Sequence, residues 1–264
     1  INKLVPSLWG LQPEINNKLA IKEDASHLQS IRGHKEKTRA FIRIQNGCNH
    51  SCTFCIITEA RGDSISVPSG SIISEIRKTV SAGIQEIILT GVDLTSYGED
   101  LPGQNSLGKL VKKILKLVPE LERLRISSLD AAEIDNDLME AFETEKRLMP
   151  HLHLSLQSHD DLILKRMKRR HSTKDAEKLI NRLKEIRPNI LFGADLIAGF
   201  PTENELAFRN TLNSIEKLNL TFLHVFPYSS RPETPAARMP QIPLKEIKKR
   251  AKFLRESGDI QLKK

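Results

Sequence analysis

From residue 41 onward, short apolar and β-branched runs alternate with longer stretches of helical period, which restricts the chain to repeated βα units around a parallel sheet. The runs at 41–45, 86–90, 123–127, 152–156, 190–197 and 220–225 read as six strands. Helical patterns lie near 71–82, 107–118, 134–144, 174–186, 203–218 and 244–257. Six units fall short of the eight that close a barrel, and no strand runs into a Gly-x-Gly-x-x-Gly turn. The expected fold is therefore α/β, a partial (β/α)6 barrel over residues 39–240. Residues 1–38 read as a linker or the remnant of a truncated N-terminal domain, and residues 241–264 as a C-terminal helix and tail.

Polar loops follow the carboxyl ends of the strands: NGCNHSC, GVDLTSYG, SSLDAAEID, QSHDD and AGFPTE. In parallel α/β architectures ligands bind at that edge, so the candidate chemistry converges on one rim. Hydrophobic residues make up 39% of the chain and charged ones 28%, and no stretch approaches the eighteen or so apolar residues that span a bilayer. The first residues, INKLVPSLWGLQPEI, lack the pattern of a signal peptide. The expectation is a cytoplasmic protein with no membrane association. A net charge of +8 favours an anionic partner, with basic clusters at 165–170, at 248–250 and on Lys112, Lys113 and Lys116.

The chain has three cysteines, all within eight residues, a number and spacing that cannot make a disulfide framework but suit metal-binding thiolates in a reducing compartment. Cys48, Cys52 and Cys55 form Cys-x-x-x-Cys-x-x-Cys directly after a strand. Three thiolates on one tight loop can hold three corners of a 4Fe-4S cluster and leave the fourth iron open to a chelating ligand such as S-adenosylmethionine. On spacing alone a zinc site completed by His50 or a distant histidine stays open as an alternative.

The string CNHSCTFC at 48–55 resembles the signature of radical S-adenosylmethionine enzymes. ARG at 60–62, LTGVDLTSYG at 89–98, HLHLSLQS at 151–158, LKRMKRRH at 164–171, GADLIAGFPTE at 193–203 and FPYSSRPETPAARMP at 226–240 resemble the methylthiotransferases of that family. The second and last of these are most similar to the tRNA threonylcarbamoyladenosine branch. The resemblance implies reductive cleavage of S-adenosylmethionine to a 5'-deoxyadenosyl radical and hydrogen abstraction from C2 of the modified adenosine beside the tRNA anticodon. A methylthio group is then inserted there. It also implies an electron donor protein of flavodoxin or ferredoxin type. The family carries three further cysteines for an auxiliary cluster in an N-terminal domain and an RNA-binding module at its C-terminus, whereas this chain has no cysteine outside the triplet. A core that cleaves S-adenosylmethionine without sulfur transfer is the alternative, and a zinc-bound nucleic-acid-binding module is a third.

The resemblance makes Cys48, Cys52 and Cys55 the cluster ligands and places Gly91, Val92 and Asp93 where the cofactor's amino group is held. Phe54 offers a flat ring to an adenine. Ser155 and Gln157 share one face of a strand and need polar partners. Arg166, Arg169 and Arg170 are candidates to pair with a carboxylate or phosphate, Arg166 being the one assigned to the cofactor. Asp195, acidic within an apolar strand, requires a partner and is also assigned to cofactor binding. His159 and Glu233 stand where many relatives have glycine, and either would be strained if its backbone takes positive φ.

Overall fold

In the computed structural model, residues 38–132 and 134–264 are described; the linker or remnant expected over 1–38 lies, apart from Thr38, outside them. All six expected strands are present and parallel. β1 (Arg39–Arg43), β4 (Glu86–Thr90) and β5 (Arg123–Ile126) pair in the order β1-β4-β5. β6 (Ser128–Leu129), β7 (His151–Gln157), β8 (Leu191–Ala198) and β9 (Leu220–Pro227) pair in sequence order.

The strand expected at 123–127 is split into β5 and β6. Its first half pairs with β4 and its second with β7, while the Ser127 amide between them still donates to the Leu89 carbonyl at 3.0 Å. The two sheets are joined again where Leu124 and Leu148 bridge. The result is a curved run of parallel strands. Among the described residues no ladder joins β1 to β9, so the barrel is partial.

Helices cover the outer face. α2 (Ser69–Ser81) buries Ile72, Ile73 and Ile76, and α3 (Leu107–Leu117) buries Leu107, Leu110, Val111, Ile114 and Leu115 on one stripe. α4 (Asn136–Thr144) begins two residues later than the periodicity suggests, because the Asp135 side chain accepts from the Leu138 amide and caps it there. α6 (Thr173–Ile186) starts in a capping box made by Ser172 and Asp175. α7 (Glu205–Lys217) completes the series. Each fully buried Ile or Leu contributes roughly 2 kcal/mol by removal from water.

α8 (Leu244–Leu262) runs five residues past the expected end at 257. Ser257 and Gly258 read locally as a stop, but Gly258 packs on Leu223 of β9 and Gln261 Nε2 donates to Asn219 Oδ1 at 2.6 Å. Tertiary contact outweighs the weak local signal.

The loop between residues 47 and 64 is closed at its base by a two-residue antiparallel pair, β2 (Gln45–Asn46) with β3 (Ile65–Ser66), which the strand pattern did not reveal. Gly47 sits at φ 74°, and a Cβ there would meet the Asp63 carbonyl oxygen at 1.9 Å. Only glycine fits this crossing. A short helix, α1 (Ile57–Arg61), and another, α5 (Asp161–Arg166), were likewise not expected from the sequence, being too short to show a period.

Candidate functional site

The cysteine loop is fastened from three sides. Buried Gln45 accepts at Oε1 from the Val92 amide (2.9 Å) and the Asp93 amide (2.8 Å), and its Nε2 donates to the Gly47 carbonyl (2.8 Å) and Ser64 Oγ (2.8 Å). The loop after β1 is thereby locked to the loop after β4. Thr53 is tied to the end of α5, its amide donating to the Met167 carbonyl (3.1 Å) and its hydroxyl to the Arg166 carbonyl (2.8 Å). The Ala236 amide in turn donates to the Thr53 carbonyl at 2.9 Å. Phe54 meets Phe200 edge to face at 6.4 Å and joins a satellite core of Ile163, Met167, Ile197 and Phe200.

All three cysteines are free and partly exposed. Backbone amides point at the sulfurs: His50 N lies 3.4 Å from Cys48 Sγ and Ile57 N lies 3.4 Å from Cys55 Sγ. Burial pushes the Cys48 thiol up to about 11, with the amide of His50 opposing and Asp93 adding to the rise. Burial also raises Cys55. Binding of a cation would release these protons.

The thiols line a cavity of about 180 Å³ together with Phe54, Val92, Asp93, Ser128, Asp130, Ser155, Gln157 and Arg169. Ser155 and Gln157 share a face of β7, as their spacing requires, and both reach the cavity. His50 Nε2 is buried without a hydrogen-bond partner although it lies 2.6 Å from Asp93 Oδ2, a close but misdirected contact. Three free thiols on one loop, with backbone amides aimed at two of the sulfurs, fit an iron–sulfur cluster.

Three assigned residues do not reach this cavity. Arg166 turns away, its Nη1 donating to Thr202 Oγ1 at 2.7 Å. Arg169 occupies the place instead. Its Nη1 lies 3.6 Å from Cys52 Sγ, and its Nη2 donates to Asp130 Oδ2 and the Ser155 carbonyl, both at 2.8 Å. Gly91 is the second: a Cβ there would press on Leu94 and Gln45 at 2.7 and 2.9 Å, so its part is to let Gln45 close on the loop, not to line the cavity.

Asp195 also lies outside the cavity lining but next to it, through Ser155 Oγ at 3.4 Å. The partners its sequence context demanded are His153 Nε2 at 3.0 Å and His224 Nδ1 at 3.1 Å.

Asp130 and Gln45 were not singled out in the sequence. Asp130 is buried and receives Arg169, His171 Nδ1 (3.2 Å) and the Ala132 amide (3.1 Å). Burial works to raise its carboxyl, but the His171 hydrogen bond and the Arg169 guanidinium outweigh it and hold it well below the usual carboxylate range. Its position at the end of a strand was the available signal. Gln45 offered none.

Of the two unusual substitutions, Glu233 does take positive φ (73°), whereas His159 does not and is accommodated by its Nε2 contact with Glu177 at 3.1 Å. No helix among the described residues is long and apolar enough to cross a membrane.

Comparison with known proteins shows the family of the chain. A threonylcarbamoyladenosine tRNA methylthiotransferase MtaB of Rickettsia prowazekii is 52% identical over 94% of this chain and 58% of its own length. A tRNA-2-methylthio-N(6)-dimethylallyladenosine synthase of Ehrlichia canis is 39% identical over 81% of this chain and 48% of its own. The chain thus spans about half the length of these curated relatives. Among solved structures, the radical S-adenosylmethionine methyltransferase TsrM of Kitasatospora setae, with cobalamin and a [4Fe-4S] cluster bound, superposes with a TM-score of 0.62 at 16% identity, covering 75% of this chain and 38% of that one. Residues 42–215, about two thirds of the sequence, match the radical SAM superfamily, and on that match the chain belongs to the radical S-adenosylmethionine superfamily.

Proposed function

We propose that this chain is the catalytic core of a tRNA methylthiotransferase that modifies C2 of N6-threonylcarbamoyladenosine beside the anticodon. The observation that carries the reading is the shared cavity, in which three free thiols meet Asp93, Ser155, Gln157 and Arg169 on the carboxyl rim of a parallel barrel. Cys48, Cys52 and Cys55 would hold a 4Fe-4S cluster, and the polar side chains around them would hold S-adenosylmethionine. Such a cluster, when bound, would supply the electron needed for reductive cleavage of a sulfonium carbon–sulfur bond.

The protein's own part is placement. Gln45 holds the Val92 and Asp93 segment against the cysteine loop, which fixes the polar groups relative to the thiols. Arg169 sets a positive charge beside Cys52, its Nη1 3.6 Å from the sulfur. Ser155 and Gln157, which line the cavity, would bind hydroxyl groups. Phe54, Ile57 and Leu94 supply apolar walls that shield the cavity from water. Exposed Phe41, Phe222 and Phe226 and the basic Arg39 and Arg43 suit stacking and phosphate contact with RNA. The 52% identity to a threonylcarbamoyladenosine enzyme, against 39% to a dimethylallyladenosine enzyme, favours the first substrate. A small flavodoxin- or ferredoxin-type protein would deliver the electron, in the cytoplasm where the tRNA resides.

The test is anaerobic reconstitution with iron and sulfide, then incubation with reductant, S-adenosylmethionine and tRNA lacking the methylthio group. Visible charge-transfer absorbance, release of 5'-deoxyadenosine and a methylthiolated nucleoside by mass spectrometry are expected. Stoichiometric zinc with no iron–sulfur absorbance would overturn the reading. Release of 5'-deoxyadenosine with unmodified tRNA would reduce it to a core that cleaves the cofactor only.

A further inference from the structure

Three neighbouring strands bring one donor each to a single point on the inner face of the partial barrel. Asp195 on β8 and His224 on β9 are direct cross-strand partners, and His153 on β7 stands opposite Gly193, two residues before Asp195. Both imidazoles converge on the same carboxylate oxygen: Asp195 Oδ1 lies 3.0 Å from His153 Nε2 and 3.1 Å from His224 Nδ1. The other oxygen, Oδ2, is left to Ser155 Oγ at 3.4 Å. The three donor atoms are gathered within 4.8 Å of one another.

The backbone is shaped for this gathering. The His153 ring lies over Gly193, where a Cβ would fall 2.3 Å from His153 Nδ1. Any other residue at 193 would push the ring off its line to Asp195. The His153 and His224 rings stand 4.4 Å apart between centroids. His153 is buried and Asp195 nearly so, while the His224 side chain is 65% exposed, which leaves one side of the trio open to the solvent-facing interior of the barrel.

We propose that His153, Asp195 and His224 form a binding site for a divalent transition-metal ion of the zinc or ferrous class. An ion bonded at about 2.0–2.2 Å to each donor holds the donors about 3.0–3.5 Å apart, the spacing already present across the two His–Asp pairs. Two imidazoles and one carboxylate favour such an ion over magnesium or calcium, which take all-oxygen sites. Ser155 acts as the outer partner that orients the carboxylate. The remaining coordination positions face the open interior and are free for water or a substrate group.

The test counts metal in the full chain. After anaerobic reconstitution of the cysteine site with iron and sulfide, zinc is titrated in and bound zinc and iron are measured by mass spectrometry after desalting. One zinc per chain above the iron is expected. His224→Ala, at an exposed position, and Asp195→Asn should each weaken it at least about tenfold with iron unchanged. In a chain with all three cysteines replaced by alanine, cobalt(II) should give ligand-field absorption without sulfur-to-cobalt charge transfer, lost on His224→Ala. This arm stands even if the cysteines hold no cluster. Absence of zinc and cobalt binding, or binding equal in the variants, overturns the proposal.

Discussion

Arg169 and Asp130 form a buried ion pair, Nη2 to Oδ2 at 2.8 Å, with the side chains 9% and 7% exposed. The same guanidinium reaches Cys52 Sγ with its other nitrogen, so the pair couples the loop after β6 to the cysteine loop. A flat fork can serve both directions at once, and an ammonium cannot.

Arg169→Lys is therefore expected to lower the rate of S-adenosylmethionine cleavage by roughly 10- to 100-fold, from loss of about 1.4–2.8 kcal/mol in positioning. Arg169→Ala should in addition destabilise the fold by about 3 kcal/mol, because Asp130 stays buried without its main counter-charge. Arg166→Lys should change cleavage little, since that side chain points to Thr202. Release of 5'-deoxyadenosine and thermal melting of the three variants check this, and an Arg166→Lys defect as large as that of Arg169→Lys would contradict it.

Acid stability should report Asp130. Its carboxyl is depressed in the folded chain against an ordinary value near 3.9 when unfolded, so the unfolded state takes up the proton first as pH falls. The stabilisation, on the order of 2 kcal/mol, is fully present above about pH 5 and is lost progressively below pH 4. Melting temperatures between pH 6 and pH 3 should fall more steeply for the unaltered chain than for Asp130→Asn, which starts lower and lacks this component. Parallel curves would rule it out.

Glu233 holds φ at 73°, a region that disfavours residues with a Cβ. Glu233→Gly should stabilise the chain by about 1 kcal/mol, read as a rise in Tm of roughly 2–4 °C. His159→Gly, at ordinary φ, should instead destabilise, because it removes the contact with Glu177.

Gly47→Ala should be among the most damaging single-methyl changes in the chain. The added carbon would collide with the Asp63 carbonyl and sit at positive φ. Separation of β2 from β3 would let the cysteine loop splay, so iron incorporation should fall sharply while far-UV circular dichroism keeps its α/β form. Normal iron loading in this variant would show that the base of the loop does not set the cysteine geometry.

Much of this architecture is written in local pattern. The alternation of strand-like runs with helical period locates every major strand to within two residues, since a covering helix must carry one apolar stripe and each strand keeps at least one apolar face toward those helices. The cysteine triplet is equally local, because three ligands for one centre come from eight consecutive residues. Which arginine faces the thiols is not local. Arg166 and Arg169 lie on the same short segment, and only their partners in the fold, Thr202 for one and Asp130 with the Ser155 carbonyl for the other, turn one guanidinium away and the other inward. The meeting of His153, Asp195 and His224 depends on the register of three strands separated by whole helices, and Asp130 gains its partners from a loop forty residues on. Period and spacing act within a few residues of chain, so the sequence alone determined the major strands and helices and the thiol cluster. Pairing between distant side chains is decided by strand register and close packing, which only the folded chain possesses.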